Sequence, residues 1–223
     1  QRYYQDARTS DFLIRCASKE FQVHRVILGS QSEYFHRAFS VQWRVGSHER
    51  YMTLDDEDPL TLEGVLLHLY RLDYVERMEI EDGPDGLKLH AQIYMAGDKY
   101  FIPSLSAAAS QNFRAMAARD YRHCLAPEVV NFVYGVPAIV GQELRDNLID
   151  AVMKEPKAAV ANPDLVTCLT SCPEMLKHLL VLTLGQDRWH LNSTMCLACN
   201  KPIQEENPSR SRVYCRCAEI WSG

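Results

Sequence analysis

The spacing of apolar positions changes twice along this chain. Near the start it has a period of two: Asp11-Phe12-Leu13-Ile14-Arg15-Cys16 reads as a buried or half-buried strand, and Ala17-Ser18-Lys19 as a turn. Phe21 and Val23 then alternate with polar neighbours as a returning strand. From His24 the period lengthens, and apolar residues pair at helical spacing through Leu28 and again from Tyr34 and Phe35 to Ala38 and Phe39. Gly29-Ser30-Gln31-Ser32 separates these two short helices, and a polar loop over 40–50 leads to a third short strand, Tyr51-Met52-Thr53-Leu54. The best-marked helix follows, with Asp58 as N-cap, Pro59 in the first helical position, and Leu62, Val65, Leu66, Leu69 and Tyr70 on one face.

An acidic loop containing Gly and Pro ends before Leu87. The next helix presents Leu87, Ala91, Tyr94 and Met95 and stops at Ile102-Pro103. Leu105, Ala108, Ala109, Phe113 and Met116 stripe another. From Ala126 the pattern is helical only: Pro127, Pro163 and Pro173 each precede an amphipathic run, and Leu144, Leu148 and Val152 mark the helix between the first two. Strands early and helices afterwards predict an α+β fold rather than a βαβ sheet. No internal repeat is visible, and 186–194 reads as a linker into a cysteine-rich tail.

Composition narrows the class. The chain has 223 residues, 47% apolar and 24% charged, with a net charge of −5, which excludes wholesale disorder, collagen and a coiled-coil rod. No apolar run approaches the ~20 residues that span a bilayer, and the first residues lack an apolar signal core, so a soluble chain is expected. The acidic balance argues against a general nucleic-acid binder. Asp55-Asp56-Glu57-Asp58 and the segment from Glu76 to Asp85 read as solvated loops. Of eight cysteines, Cys16, Cys124, Cys168 and Cys172 lie among apolar residues, where a reduced thiol packs as a small hydrophobe. The expected setting is reducing and intracellular, in cytoplasm or nucleus.

Taken together, several segments resemble a BTB/POZ domain: Ser10-Asp11-Phe12 opening a strand, Phe21-Gln22-Val23-His24-Arg25-Val26-Ile27-Leu28, and Ser32-Glu33-Tyr34-Phe35. Leu54-Asp55-Asp56-Glu57-Asp58-Pro59, Leu66-Leu67-His68-Leu69-Tyr70 with Asp73-Tyr74, and Tyr94-Met95-Ala96-Gly97-Asp98-Lys99-Tyr100 are similar to the family's second half. The match covers roughly residues 10–118, the scale of one domain. The helices that follow and the cysteine tail look like the fungal branch. The resulting division is an N-terminal remnant over 1–9, a BTB/POZ domain over 10–118, a helical extension over 119–189 and a tail over 190–223. The resemblance implies a helical cluster flanked by a short β-sheet. It also implies a non-catalytic interaction module that pairs with another BTB chain, or an adaptor that brings a client protein to a cullin-type ubiquitin ligase.

Individual residues can be weighed in their own right. His24, between strand and helix, is either a catalytic base or a side chain hydrogen-bonding its own turn, and with no nucleophile nearby the second reading prevails. Asp11, beside a run destined for the core, needs hydrogen bonds from backbone or from a basic neighbour such as Arg25. The resemblance associates Asp11 with the charged pocket of dimeric members, and it places Tyr34 and Phe35 within a family motif. Trp43 is either an exposed interface residue or folded onto the core. Two departures bear on the implied partners. Only nine polar residues precede Ser10, where dimeric members carry an exchanged helix and strand. Cullin adaptors tend to carry an apolar-x-Glu motif where this chain has Trp43-Arg44-Val45-Gly46, with the nearest acid at Glu49.

Cys196-Leu197-Ala198-Cys199 and, fifteen residues on, Cys215-Arg216-Cys217 present four thiolates on two tight turns, a set that can close a tetrahedron around structural Zn²⁺. His190 is a substitute ligand. A flexible tail with free thiols and a redox CxxC are the alternatives, the latter lacking a strand-to-helix setting. A closed zinc-ribbon-like site fastens and does not catalyse. A transcription-associated role, with Arg210, Arg212 and Arg216 touching phosphate, is the alternative function. HExxH, G-x-S-x-G, P-loop and dinucleotide-binding glycine motifs are all absent from the sequence.

Overall fold

In the computed structural model, which describes residues 3–44 and 50–184, strands β1 (Phe12–Cys16) and β2 (Lys19–Val23) form an antiparallel hairpin. Phe12 pairs with Val23, Ile14 with Phe21 and Cys16 with Lys19. The alternation sends Phe12, Ile14, Cys16, Phe21 and Val23 to one buried face. Strand β3 (Tyr51–Thr53) adds to the other side of β1, giving the order β2-β1-β3, and this pair runs parallel. Between β2 and β3 lie α1 (Arg25–Gly29) and α2 (Glu33–Arg44). The predicted loop from residue 40 is therefore shorter than the polar composition implied, because α2 continues to Arg44.

Helix α3 (Pro59–Leu69) begins where the sequence places it, with the Asp58 carboxylate accepting the Thr61 N–H at 2.8 Å. Its burial is wider than one face: Thr61, Gly64 and Leu67 are enclosed along with Leu62, Val65, Leu66 and Leu69. Asp58→Ala removes one cap and is expected to cost about 1 kcal/mol of unfolding free energy, read in urea.

Both acidic stretches differ from the expected solvated loops. Glu57 accepts hydrogen bonds from Lys99 Nζ at 2.7 Å and the Tyr100 hydroxyl at 2.6 Å, and its own carbonyl faces Cys16 Sγ at 3.1 Å. The carboxylate thus ties the loop before α3 to a later helix. The second stretch contains α4 (Tyr74–Met78), which Asp73 caps through the N–H groups of Val75 and Glu76, and buried Tyr74 anchors it from below.

Helices α5 (Pro84–Lys99) and α6 (Pro103–Arg119) form the central antiparallel pair. They come into close contact at Gly97, where a Cβ would run into the Oγ and backbone N of Ser106. A 3-10 helix over Tyr121–Leu125 leads to α7 (Pro127–Gly135) and α8 (Ala138–Met153). Arg145 on α8 donates to the carbonyls of Val133, Tyr134 and Val136, filling the acceptors left open where α7 ends.

Helix α8 is fixed to the α5–α6 pair by polar bonds as well as apolar packing. Ser110 Oγ donates to Glu143 at 2.5 Å, Asn147 Nδ2 donates to Ser110 at 3.1 Å, and the Tyr94 hydroxyl faces the Val140 carbonyl at 3.1 Å. Leu144, Leu148 and Val152, the predicted stripe, are buried. Short helices α9 (Pro156–Ala161) and α10 (Pro163–Ser171) follow, then α11 (Pro173–Leu184). The chain divides into two compact units, 1–175 and 176–223. The cysteine tail and the 186–194 linker lie outside the described residues. Among the described residues no single helix is long and apolar enough to cross a membrane, and no group of three or more His, Cys, Asp or Glu side chains is placed to hold a metal.

Candidate protein-interaction surface

The start of β1 and the start of α1 meet at Asp11 and Arg25. Asp11 Oδ1 accepts the Arg25 backbone N–H at 2.9 Å and Oδ2 accepts its Nε–H at 3.0 Å. Partial burial works against the charge on Asp11, but these hydrogen bonds and the guanidinium charge outweigh it and hold the carboxyl below its usual range. The Arg25 guanidinium lies 5.9 Å from the Phe12 ring centre, and Phe12 meets Phe39 edge-on at 5.0 Å. The expected partner of Asp11 is thus the observed one.

Beside this pair, α1 and α2 enclose an open groove of ≈ 600 Å³. Arg25, Val26 and Gly29 line one wall, and His36, Phe39 and Ser40 the other. Val26 stands at its rim with 76% of its surface exposed. The run Val26-Ile27-Leu28 offered a signal for this: three successive apolar residues on one short helix turn about 100° apart, so they cannot all face the core. Leu28 is enclosed, and Val26 points to solvent.

The His24 side chain makes no bond to its own turn, although its carbonyl accepts the Ile27 and Leu28 N–H groups. Its backbone N–H donates to the Tyr70 hydroxyl at 3.0 Å; Nδ1 lies 2.8 Å from the same oxygen and Nε2 3.0 Å from Thr9 Oγ1. Each ring nitrogen thus faces a hydroxyl, and the tautomer sets which member of each pair donates. Burial pushes the Tyr70 phenol up to about 12, so it stays protonated in this role. The histidine therefore fastens the N-terminal segment to the end of α3.

Phe35 and Tyr34 are packing residues. Phe35 is fully enclosed, stacked on Tyr100 at 5.3 Å and on Phe39 at 5.9 Å, while half-buried Tyr34 meets Tyr100 edge-on at 4.9 Å. Through Phe39, which also lines the groove, Phe35 packs behind it. The backbone of Trp43 belongs to α2 and not to a loop, and its side chain lies outside the described residues, as do Val45 to Glu49. Cys196, Cys199, Cys215, Cys217 and His190 also lie outside them. Sequence reasoning missed the groove, since a concavity between two short helices leaves no mark on apolar spacing, and it passed over the signal for Val26 in the run 26–28.

The family model that matches this chain is that of the BTB/POZ domain, over residues 1–117. Thirty-three chains of solved structures match. One is the BTB domain of zebrafish PATZ1, similar at 16% identity with a TM-score of 0.38, covering 49% of this chain and 80% of that one. No curated protein matches.

Proposed function

This chain belongs to the BTB/POZ domain family, a family of protein–protein interaction modules, and from that premise we propose that it acts by contact alone, pairing with a second BTB chain through the α1–α2 face. The exposed Val26 carries this reading. An isolated molecule gains nothing from a valine held in water beside an apolar hollow, whereas burying it in a partner is worth about 1.5–3 kcal/mol. A projection next to a hollow on one face is also the shape that two identical surfaces need in order to satisfy each other about a two-fold axis. In such a pair each Val26 enters the neighbouring groove against Phe39 and Gly29, with Arg25 at the rim.

Light scattering on the full chain at micromolar concentration tests this. The expected mass is that of a dimer. Val26→Asp, which forces a carboxylate into the contact, is expected to weaken pairing at least about 100-fold while the melting temperature holds, because the residue is exposed in the single chain. A wild-type chain that stays monomeric as concentration rises would remove the proposal.

The second part of the proposal concerns the tail. Cys196, Cys199, Cys215 and Cys217 hold structural zinc, with His190 in reserve, and the later helices and tail carry a client protein. The support is the spacing of the four cysteines, a CxxC pair and a CxC pair separated by fifteen residues. The described cysteines, Cys16, Cys124, Cys168 and Cys172, are free thiols, which suits the reducing compartment proposed with it. Elemental analysis of the purified chain is expected to find one zinc per molecule, lost on Cys199→Ser.

A further inference from the structure

Helix α11 carries Leu176, Leu179, Leu180, Val181 and Leu182 within seven positions, and none of them is buried. Leu176 is 38% exposed, Leu180 44% and Val181 59%, whereas Met175, one residue earlier, is fully enclosed. The chain divides between these two residues, so this apolar run opens the second compact unit, 176–223. The rest of that unit begins directly after α11 and brings further large apolar side chains, Trp189, Leu197, Tyr214 and Trp221. A stretch of that length cannot close a hydrophobic core on its own. Four thiolates on a metal would order it without burying its apolar side chains, so those need a wall.

We infer that the apolar face of α11 is that wall, the surface against which the cysteine-rich tail of the same chain packs. The inference rests on the zinc reading of the tail proposed above. A bilayer or a second copy of the chain would also be served by exposed leucines. Neither accounts for a division of the chain that groups this helix with the tail.

The test uses the full chain with Leu180→Asp and Val181→Asp together, at exposed positions whose change leaves the first unit folded. A chelating dye is expected to strip zinc from this variant at least about tenfold faster than from the wild type, with the melting transition of residues 1–175 unaltered. Equal release rates overturn the inference. If the wild type holds no zinc, the metal reading fails by itself, and packing is then read from hydrogen exchange. Protection of amides over 196–217 that the double substitution abolishes upholds the wall, and identical exchange in the two proteins overturns it. Binding to phosphatidylcholine vesicles, or self-association, that the substitution abolishes without altering tail exchange assigns the face to a bilayer or to a second copy and likewise overturns it.

Discussion

Phe35→Ala is expected to lower the unfolding free energy by about 3–5 kcal/mol, the range for emptying a large aromatic site that its neighbours cannot refill. The neighbours here are themselves rings. Tyr100 stacks on Phe35 with planes 11° apart and Phe39 stacks on it at 21°, so the substitution removes two stacks at once. The Tyr100 ring is further held by its hydroxyl on Glu57, and the Ser32 hydroxyl donates to its carbonyl at 2.7 Å. These bonds limit how far the ring can follow. Phe35→Leu keeps most of the volume and should cost less than about 1.5 kcal/mol. Urea unfolding of both variants checks the pair: a loss below about 1 kcal/mol for the alanine variant would show that the stack is not the centre of the core.

Acid sensitivity is the second large effect. His90 is enclosed on α5, its Nδ1 3.0 Å from the Tyr74 hydroxyl, which also accepts from Asn112 Nδ2 at 3.0 Å. Burial pulls the imidazole down to about 4, with the Arg119 charge adding to this and Asp82 opposing it. A group whose folded pKa lies below its unfolded value of 6.5 contributes nothing to pH dependence above 6.5, where both states are neutral. Below that, the unfolded chain takes up a proton that the folded chain refuses, so stability falls as pH drops from 6.5 towards 4, by about 1.4 kcal/mol per pH unit. Across the window the loss is about 3 kcal/mol. Urea midpoints at pH 7.5 and 4.5 measure it. His90→Gln should flatten the curve by this amount, and a variant with the wild-type slope would show that another group carries the proton.

Much of the fold could be read from punctuation. Helices α3, α5, α6, α7, α9, α10 and α11 all open on proline, which fixes φ and needs no hydrogen-bond partner at that position, so their starts stand in the sequence. The hairpin was legible because a period of two survives in both strands. Asp58 as a cap needs only local geometry, and Arg25 reaches Asp11 once the hairpin folds back. What failed depends on distant residues. Glu57 sits in a run of four acids that is indistinguishable from a solvated loop until Lys99 and Tyr100 arrive from α5. Helix α4 is a single turn of five residues, too short for a period, and exists because Tyr74 is anchored by His90. The α1–α2 groove is a shape made by two elements together, which no single segment records.

The bonds between Ser110, Glu143 and Asn147 reach beyond architecture. They lie on both sides of residue 117, where the family match ends. A recombination breakpoint there would strand a hydroxyl, a carboxylate and an amide with nothing to answer them, alongside the bared rings and methyls of α6. The first 117 residues of this chain are therefore not an exchangeable cassette. Any substitution at Ser110 constrains what positions 143 and 147 can tolerate.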